Sequence, residues 1–316
     1  MLGKLLKAFI GKAPSDIDLS LGYERLPEFR NWLQQGNYAA FESAYEDLPW
    51  DAKTLLNEGI GLEESNATDI TKWVTQRHDS YAAHLFAGVS KTCLAWIART
   101  AALGKSVSEE KAQRFFDLLE DAFAHLQRAD ELNPDDAEIC ARMIRVCMGL
   151  QTDTDTANSY FEAAKQLVPN HLMAHLMMIN FLNPKWRGSL EEMQAFADSM
   201  YDDKSNSLLV TLQLFALVEE WLYYGLNDEP KKKEQFFKNA DIRSRIKELH
   251  AGYREEAEGQ LLIPYVYNYF AFLFHMTGEQ ELARQAARKI TGKMIVYPWA
   301  YISIDSNKEL QQTLKV

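Results

Sequence analysis

Two histidines have the spacing that paired metal ligands use on a helix. His171 and His175 are four residues apart in a segment with helical periodicity, so their side chains share one helix face. A catalytic zinc ion needs a third protein ligand, and no glutamate follows His171, where the paired-histidine zinc motif has one. The spacing therefore favours packing histidines over a metal site. His78 and His84, six residues apart, make a weaker case.

Neighbouring carboxylates are the other residues with catalytic potential. Glu219 and Glu220, or Glu255, Glu256 and Glu258, could act as general acid and base only if a cleft held them. Their spacing gives no sign of a cleft, and the sequence has no nucleophile–base motif, phosphate-binding loop or cysteine metal cluster. We therefore predict no catalytic residue, no cofactor and no metal ion, and a protein that is not an enzyme.

Two groups of side chains could recognise another protein. Trp186 and Arg187 precede Gly188 in an irregular stretch, and an aromatic ring beside a guanidinium is typical of recognition loops. The alternative is that Trp186 fills a gap between helical hairpins while Gly188 permits the turn. The second group surrounds two predicted turns and predicts an acidic rim for a Lys/Arg-rich partner: Asp130, Glu131, Asp135, Asp136, Asp153 and Asp155.

The charge balance narrows the class of partner. The chain has a formal net charge of −11 and an isoelectric point of about 5.2. Nucleic-acid binding by phosphate neutralisation needs a basic surface, so we predict no nucleic-acid partner. An acidic surface attracts basic proteins, such as a basic toxin or effector; a solvated surface without a partner is the alternative. Three cysteines are too few for a disulfide framework and indicate a reducing compartment, the cytoplasm.

A tandem repeat must position these residues. Its two copies share three landmarks spaced 35 residues apart: Ala129 and Ala164, Leu132 and Leu167, Pro134 and Pro169. A period near 34 residues is the signature of tetratricopeptide (TPR) stacks, in which each helix pair buries its apolar face on its neighbours. We therefore predict an all-α fold, a TPR-like α-solenoid of stacked antiparallel helix pairs with irregular termini.

We expect one repeat domain over residues 21–316, with its clearest repeats in 112–200 and a further hairpin in 260–291. Ser106 with Glu109, and Ser189 with Glu192, fit N-terminal capping boxes. Two glycines predict a loop over 58–69. Tyrosines at alternate positions of 265–269 leave a strand as the alternative to a helix there. The tail 294–304 is expected to be extended or to cap the last helices. A helix is expected to follow Ser106 and run to about Leu132, and others are expected over 28–35, 38–48, 80–103, 137–149, 156–167, 172–182, 208–224, 260–276 and 279–290.

A short amphipathic segment, residues 1–20, precedes this domain. Within residues 1–12, three lysines lie opposite the leucines, Phe9 and Ile10 on a helical wheel. Such a segment could lie on a membrane surface, but packing of a terminal helix on the body is the favoured interpretation. The lysines interrupt any continuous apolar stretch, so neither a signal peptide nor a membrane span is expected.

Three stretches resemble a bacterial domain-of-unknown-function family built on TPR-like helices. They are residues 94–99, residues 107–110 with the helix after them, and residues 183–189 followed by Glu191, Glu192 and Met193. The resemblance covers roughly residues 70–200, and its most specific part is Pro184-Lys185-Trp186 followed, after one residue, by Gly188-Ser189. Members often have glycine after the Ala-Arg pair, where this chain has Thr100. The resemblance implies a bacterial TPR-like fold and no particular activity.

Together these observations predict a non-enzymatic protein–protein interaction module, with a bacterial immunity or adaptor protein as its concrete form. Two alternatives stay open. One is a small-ligand binder or enzyme with a pocket lined by aromatic residues, such as Trp221, Tyr223, Tyr224 and those of 265–269. The other is a peripheral membrane protein anchored by residues 1–12.

Overall fold

The computed structural model describes residues 17–99, 108–186, 188–201, 208–255 and 258–316. Within these ranges the regular elements are helices and no strand is present, which confirms the all-α prediction. The chain divides into two compact units, residues 1–178 and 179–316. The single array over 21–316 stays a prediction, and the amphipathic residues 1–12 lie outside the described ranges.

Helices of the first unit follow one another closely along the chain. They are α1 (Leu26–Gln35), α2 (Tyr38–Glu46), α3 (Trp50–Leu56), α4 (Ala67–Gln76), α5 (Tyr81–Arg99), α6 (Glu109–Leu132), α7 (Ala137–Leu150) and α8 (Thr154–Leu167). A π-helical turn, Asn57–Gly61, follows α3, and a 3-10 turn, Glu64–Asn66, precedes α4. Helix α9 (Leu172–Phe181) begins in this unit and crosses its boundary.

The loop predicted over 58–69 is wrong, because its glycines serve close packing and not a turn. A Cβ atom on Gly59 would lie 2.8 Å from the Ser20 side chain, and one on Gly61 would lie 2.6 Å from Val89. Ile60 between them is fully buried in the apolar core of the unit. Residues 57–61 are therefore helical and buried, which two glycines in a polar sequence did not indicate.

The repeat landmarks occupy equivalent positions in the structure. Helices α6 and α8 end at Leu132 and Leu167, and the helices after them begin at Ala137 and Leu172, so both boundaries are offset by 35 residues. A proline favours extended backbone at the residue before it. Asn133 and Val168 directly precede Pro134 and Pro169, and both are extended. The buried residues repeat at the same offset: Ala122 and Ala157, Leu126 and Phe161, Ala129 and Ala164.

Capping residues agree with the predicted helix starts in one case and differ in another. The Ser189 hydroxyl accepts a hydrogen bond from the Glu192 backbone N–H at 3.1 Å, as its capping box predicts. Helix α6 is capped by Ser108, which accepts from the Lys111 N–H. Ser106, the predicted cap, lies outside the described ranges. Ser108 is followed three residues later by Lys111 and so caps the helix without a capping box; the pattern located the helix but not the residue that caps it.

The second unit contains α10 (Leu190–Met200), α11 (Val210–Leu226), α12 (Pro230–Phe236), α13 (Ala240–Gly252), α14 (Ile263–Met276), α15 (Gln280–Arg288) and α16 (Asn307–Leu314). Helix α14 replaces the alternative of a strand at 265–269; its apolar residues point in every direction because the helix is buried, with Phe270, Phe272 and Phe274 fully enclosed. The tail contains a 3-10 turn, Trp299–Ile302, and then α16, which the sequence pattern did not predict. No described helix is both long and apolar enough to span a bilayer.

Candidate protein-binding surface

The turn between α6 and α7 exposes part of the predicted acidic rim. Glu131 and Asp135 are exposed, and Asp130 is half-buried. The Glu131 carboxylate lies 2.8 Å from the Arg128 guanidinium on the same helix. Exposed pairs of this kind contribute little to stability, so both ions stay available to solvent or to a partner.

Asp136 does not belong to an exposed rim. Its side chain is 3% exposed and lies 3.0 Å from the Lys53 ammonium. The same carboxylate caps α7 by accepting a hydrogen bond from the Glu138 N–H at 3.1 Å. Asp136 therefore has a structural role, which a sequence cannot separate from surface charge because aspartate is common in both settings.

Asp153 and Asp155 lie at the other end of α7 from Glu131 and Asp135. Helix α7 has 14 residues, so its ends are about 20 Å apart. Asp153 caps α8, and hydrogen bonds from the Thr156 N–H and hydroxyl lower the pKa of its carboxyl group. The predicted rim is thus divided between two separate sites.

A larger acidic surface runs along the exposed side of α6. Exposed acids on this helix outnumber exposed bases by six to three: Glu109, Glu110, Asp117, Glu120, Asp121 and Glu131, against Lys111, Arg114 and Arg128. Asp117, Glu120 and Glu131 lie opposite the buried stripe that contains Phe115 and Leu119. This surface was not among the predicted sites, although the helical periodicity that identifies the buried stripe also identifies the exposed face opposite it.

The charge of the chain is concentrated in the first unit. Residues 1–178 contain 26 Asp and Glu and 17 Lys and Arg, a formal net charge of −9, whereas residues 179–316 carry −2. Any electrostatic attraction of a basic partner is therefore strongest at the first unit, where α6 lies.

One polar face of α7 is closed by the segment that includes α3 and the π-helical turn. Arg142 lies with Nη1 2.5 Å from Glu58 Oε1 and Nη2 2.9 Å from Glu138 Oε2. The Thr54 hydroxyl donates to Glu138, whose side chain is 1% exposed. Because the chain itself fills this face, a partner cannot reach it in the folded unit.

The buried carboxylate of Glu138 is ionised. Burial alone would raise its pKa, but the Arg142 charge and hydrogen bonds from His171 and Thr54 outweigh burial and lower the pKa to about 2. Burial likewise acts to lower the pKa of Arg142, and the two carboxylates reverse this effect and raise it. The group is an internal ion network that connects α7 to the π-helical turn.

His171 and His175 use their ring nitrogens separately. The Ala174 N–H donates to His171 Nδ1 at 3.1 Å, so the proton of the neutral ring is on Nε2, which lies 3.3 Å from Glu138 Oε1. His175 Nδ1 lies 2.9 Å from the His171 carbonyl oxygen and must donate to it. His171 packs on Trp50 and His175 on Phe161, as the packing interpretation predicts.

The loop that contains Trp186 is anchored on a buried glutamate of the second unit. Asn183 Nδ2 donates to Glu219 Oε2 at 2.7 Å, Lys185 pairs with the same carboxylate, and the Tyr301 hydroxyl donates to Oε1 at 3.0 Å. Trp186 is half-buried, and Arg187 lies outside the described ranges. Glu219 therefore has a structural role, since its hydrogen bonds and ion pair hold the loop in place. Recognition of a partner by Trp186 and Arg187 stays a prediction.

Gly188 is required by a close approach of two backbone segments. A Cβ atom at this position would lie 1.9 Å from the Leu182 carbonyl oxygen. Because backbone atoms cannot rotate away, we expect Gly188→Ala to lower the free energy of unfolding by about 1–3 kcal/mol, as overpacking does. The measurement is the midpoint of thermal unfolding.

Gly225→Ala is the matched control in the same unit. Its Cβ atom would meet only the end of the flexible Lys233 side chain, at 2.7 Å, and alanine favours the helical conformation of α11. Equal unfolding midpoints for the two variants would show that the backbone contact at Gly188 does not constrain the loop.

Aromatic residues of the second unit pack on one another. Trp221 contacts Phe237 and Phe272, with ring centroids 5.6 Å and 6.3 Å apart, and the Lys233 ammonium lies 4.4 Å from its ring centroid. The Tyr267 hydroxyl donates to Glu255 at 2.7 Å. These contacts account for the aromatic density and give the aromatic-pocket alternative no specific support.

No family model and no curated protein matches the chain. The resemblance to a bacterial TPR-like family therefore stays a prediction.

Proposed function

We propose that this chain is a protein-binding module of TPR-like helix pairs that holds a basic partner on the exposed face of α6. The repeat carries this proposal: helix boundaries and fully buried residues recur at an offset of 35 residues between α6–α7 and α8–α9. Stacked pairs of this kind use their apolar faces for each other and present the remaining helix faces to other proteins.

Three observations favour α6 among the faces of the first unit. The polar face of α7 is filled by Thr54 and Glu58 of the chain itself. Helix α6 has 24 residues, about 36 Å, and an exposed side rich in carboxylates. Phe116, 37% exposed, supplies an apolar contact beside them. Carboxylates would speed the encounter with a basic partner, and the ring would add affinity.

The proposed biological role is that of a bacterial immunity or adaptor protein acting in the cytoplasm without enzymatic activity. A basic toxin or effector is the kind of partner that the acidic first unit fits. The same charge disfavours nucleic acid as a ligand.

Charge reversal on α6 tests the proposed surface. We expect the double variant D117K/E120K to lose at least about ten-fold in affinity for the captured partner. The two substitutions change the charge of the proposed surface by four units and so weaken its attraction of a basic partner. The tagged protein is incubated with lysate of the source organism, the partner is identified by mass spectrometry, and its affinity for wild type and variant is then measured.

The matched control is E248K/E281K, which makes the same charge change at exposed positions of the second unit. Its affinity should stay within about two-fold of wild type, since neither glutamate belongs to the proposed surface on α6. Equal losses in the two double variants would show a general charge effect and contradict a site on α6. A complete absence of a stoichiometric protein partner would contradict the proposed function itself.

A further inference from the structure

A pair of histidines faces each other between α5 and α6. Their Nδ1 atoms are 3.0 Å apart, with ring centroids 5.1 Å apart and ring planes at 44°. His84 lies one turn before Gly88, which lets α5 approach Leu126 of α6 so closely that a Cβ atom there would lie 2.5 Å from the leucine. Both rings are half-buried, so solvent still reaches the pair.

The protons of the pair follow from one backbone contact. His84 Nε2 lies 3.2 Å from the His78 carbonyl oxygen, which can only accept, so Nε2 holds the proton of the neutral ring. His84 Nδ1 is then a lone pair, and His125 Nδ1 donates to it. A carbonyl that fixes the outer nitrogen of a histidine is the usual support of a metal ligand.

The surroundings of both rings favour their neutral forms. Burial lowers the pKa of both His84 and His125; the His78 carbonyl opposes this effect on His84, while the charges of Arg128 near His84 and of Lys91 near His125 add to it. The Asp121 carboxylate opposes this effect on His125 and lies 3.0 Å from Lys91. This preference suits a metal ion, because metal ions bind the neutral imidazole.

We propose that His84 and His125 form a two-histidine site for a divalent transition-metal ion that prefers imidazole, Cu²⁺ or Ni²⁺. With metal–nitrogen bonds of about 2.0–2.1 Å, nitrogens 3.0 Å apart subtend roughly 90–100° at the ion, which suits the tetragonal geometry of these metals. No three His, Cys, Asp or Glu side chains converge to hold a metal ion among the residues that the structure describes, so water completes the coordination.

Metal binding replaces the single proton between the rings. His125 gives up the proton on Nδ1 and takes one on Nε2, so the imidazole stays neutral and no net charge is lost from the protein. The rings must turn, each by up to about 45°, so that the two lone pairs meet at the ion instead of sharing a hydrogen. The site uses the side of α6 that faces α5 and is independent of the proposed partner surface.

Copper titration of the untagged protein tests the site. We expect one equivalent of Cu²⁺ to bind, with nitrogen coupling from two imidazoles in its electron paramagnetic resonance spectrum. H84Q and H125Q should each weaken binding by at least about ten-fold. The control H250Q/H275Q removes two half-buried histidines of the second unit and should bind copper as wild type does.

Equal copper affinity in wild type and H84Q, or a spectrum without imidazole coupling, would overturn the proposal. A measurement on wild type alone covers the case in which the variants do not fold. Diethyl pyrocarbonate modifies accessible imidazole nitrogens, and bound Cu²⁺ should slow modification of His84 and His125 but not of His250. Unchanged modification rates at saturating copper would equally overturn the site.

Discussion

Replacing Arg142 with methionine is expected to lower the free energy of unfolding of the first unit by about 3–5 kcal/mol, the usual cost of removing one partner from a buried ion network. Methionine keeps much of the volume of the side chain and removes its charge. Glu58 and Glu138 would then be two buried carboxylates without their cation, since Arg142 contacts both, at 2.5 Å and 2.9 Å. Urea unfolding followed by circular dichroism measures the change.

Two further variants separate charge from packing in this network. Arg114→Met removes an exposed arginine from α6 and should change stability by less than about 0.5 kcal/mol. The triple variant E58Q/E138Q/R142M removes both carboxylate charges as well and should recover part of the loss, because no buried ion is then uncompensated. A loss in R142M no larger than that in R114M would contradict the assigned role of the network.

Asn268→Ala is expected to cost the second unit about 3 kcal/mol or more. Its side chain is fully buried, and Oδ1 accepts hydrogen bonds from Trp299 Nε1 at 2.9 Å and from the Ile295 N–H at 3.2 Å. Nδ2 donates to the carbonyls of Pro264 and Lys293, at 2.8 Å and 3.0 Å. Each buried group left without a partner costs about 1–3 kcal/mol.

The effect of Asn268→Ala is measured at the tail, the residues after 293 that Asn268 holds against α14. We expect faster limited proteolysis after residue 293 and a shifted indole N–H resonance of Trp299, together with a lower unfolding midpoint. Asn227→Ala is the matched control, because Asn227 is exposed and makes one side-chain hydrogen bond, to the Tyr223 carbonyl. Unchanged proteolysis in Asn268→Ala would contradict its role as the anchor of the tail.

Local sequence patterns predicted most helices, because helical periodicity and the residues that end a helix can be recognised within a short stretch of sequence. Pro134 and Pro169 each lie two residues after the end of a helix, and the small residues Ala129 and Ala164 are fully buried. The prediction was wrong where one residue type has two structural uses, as glycine has in turns and in close packing. Gly59 and Gly61 indicated a loop, yet they allow close packing of a helical segment.

Contacts distant in sequence could not be predicted from one chain. Arg142 and Glu58 are separated by 84 residues, and the His84–His125 pair by 41, so no local spacing records either contact. Asp136 illustrates the consequence: the sequence places it among exposed acids, and only the fold brings Lys53 to it. The exposed face of α6, by contrast, follows from helical periodicity and was available from the sequence.

Carboxylate footprinting of the captured complex is the most direct test of the proposed binding surface. The protein, free and bound to its partner, is labelled with a carbodiimide and an amine, and the modified Asp and Glu residues are quantified by mass spectrometry. We predict at least about three-fold slower labelling of Asp117 and Glu120 in the complex, because a bound partner excludes the reagent and pairs the carboxylates. Glu248 and Glu281 should label at unchanged rates. Unchanged labelling on α6, with protection elsewhere, would contradict the assignment of this helix as the binding surface.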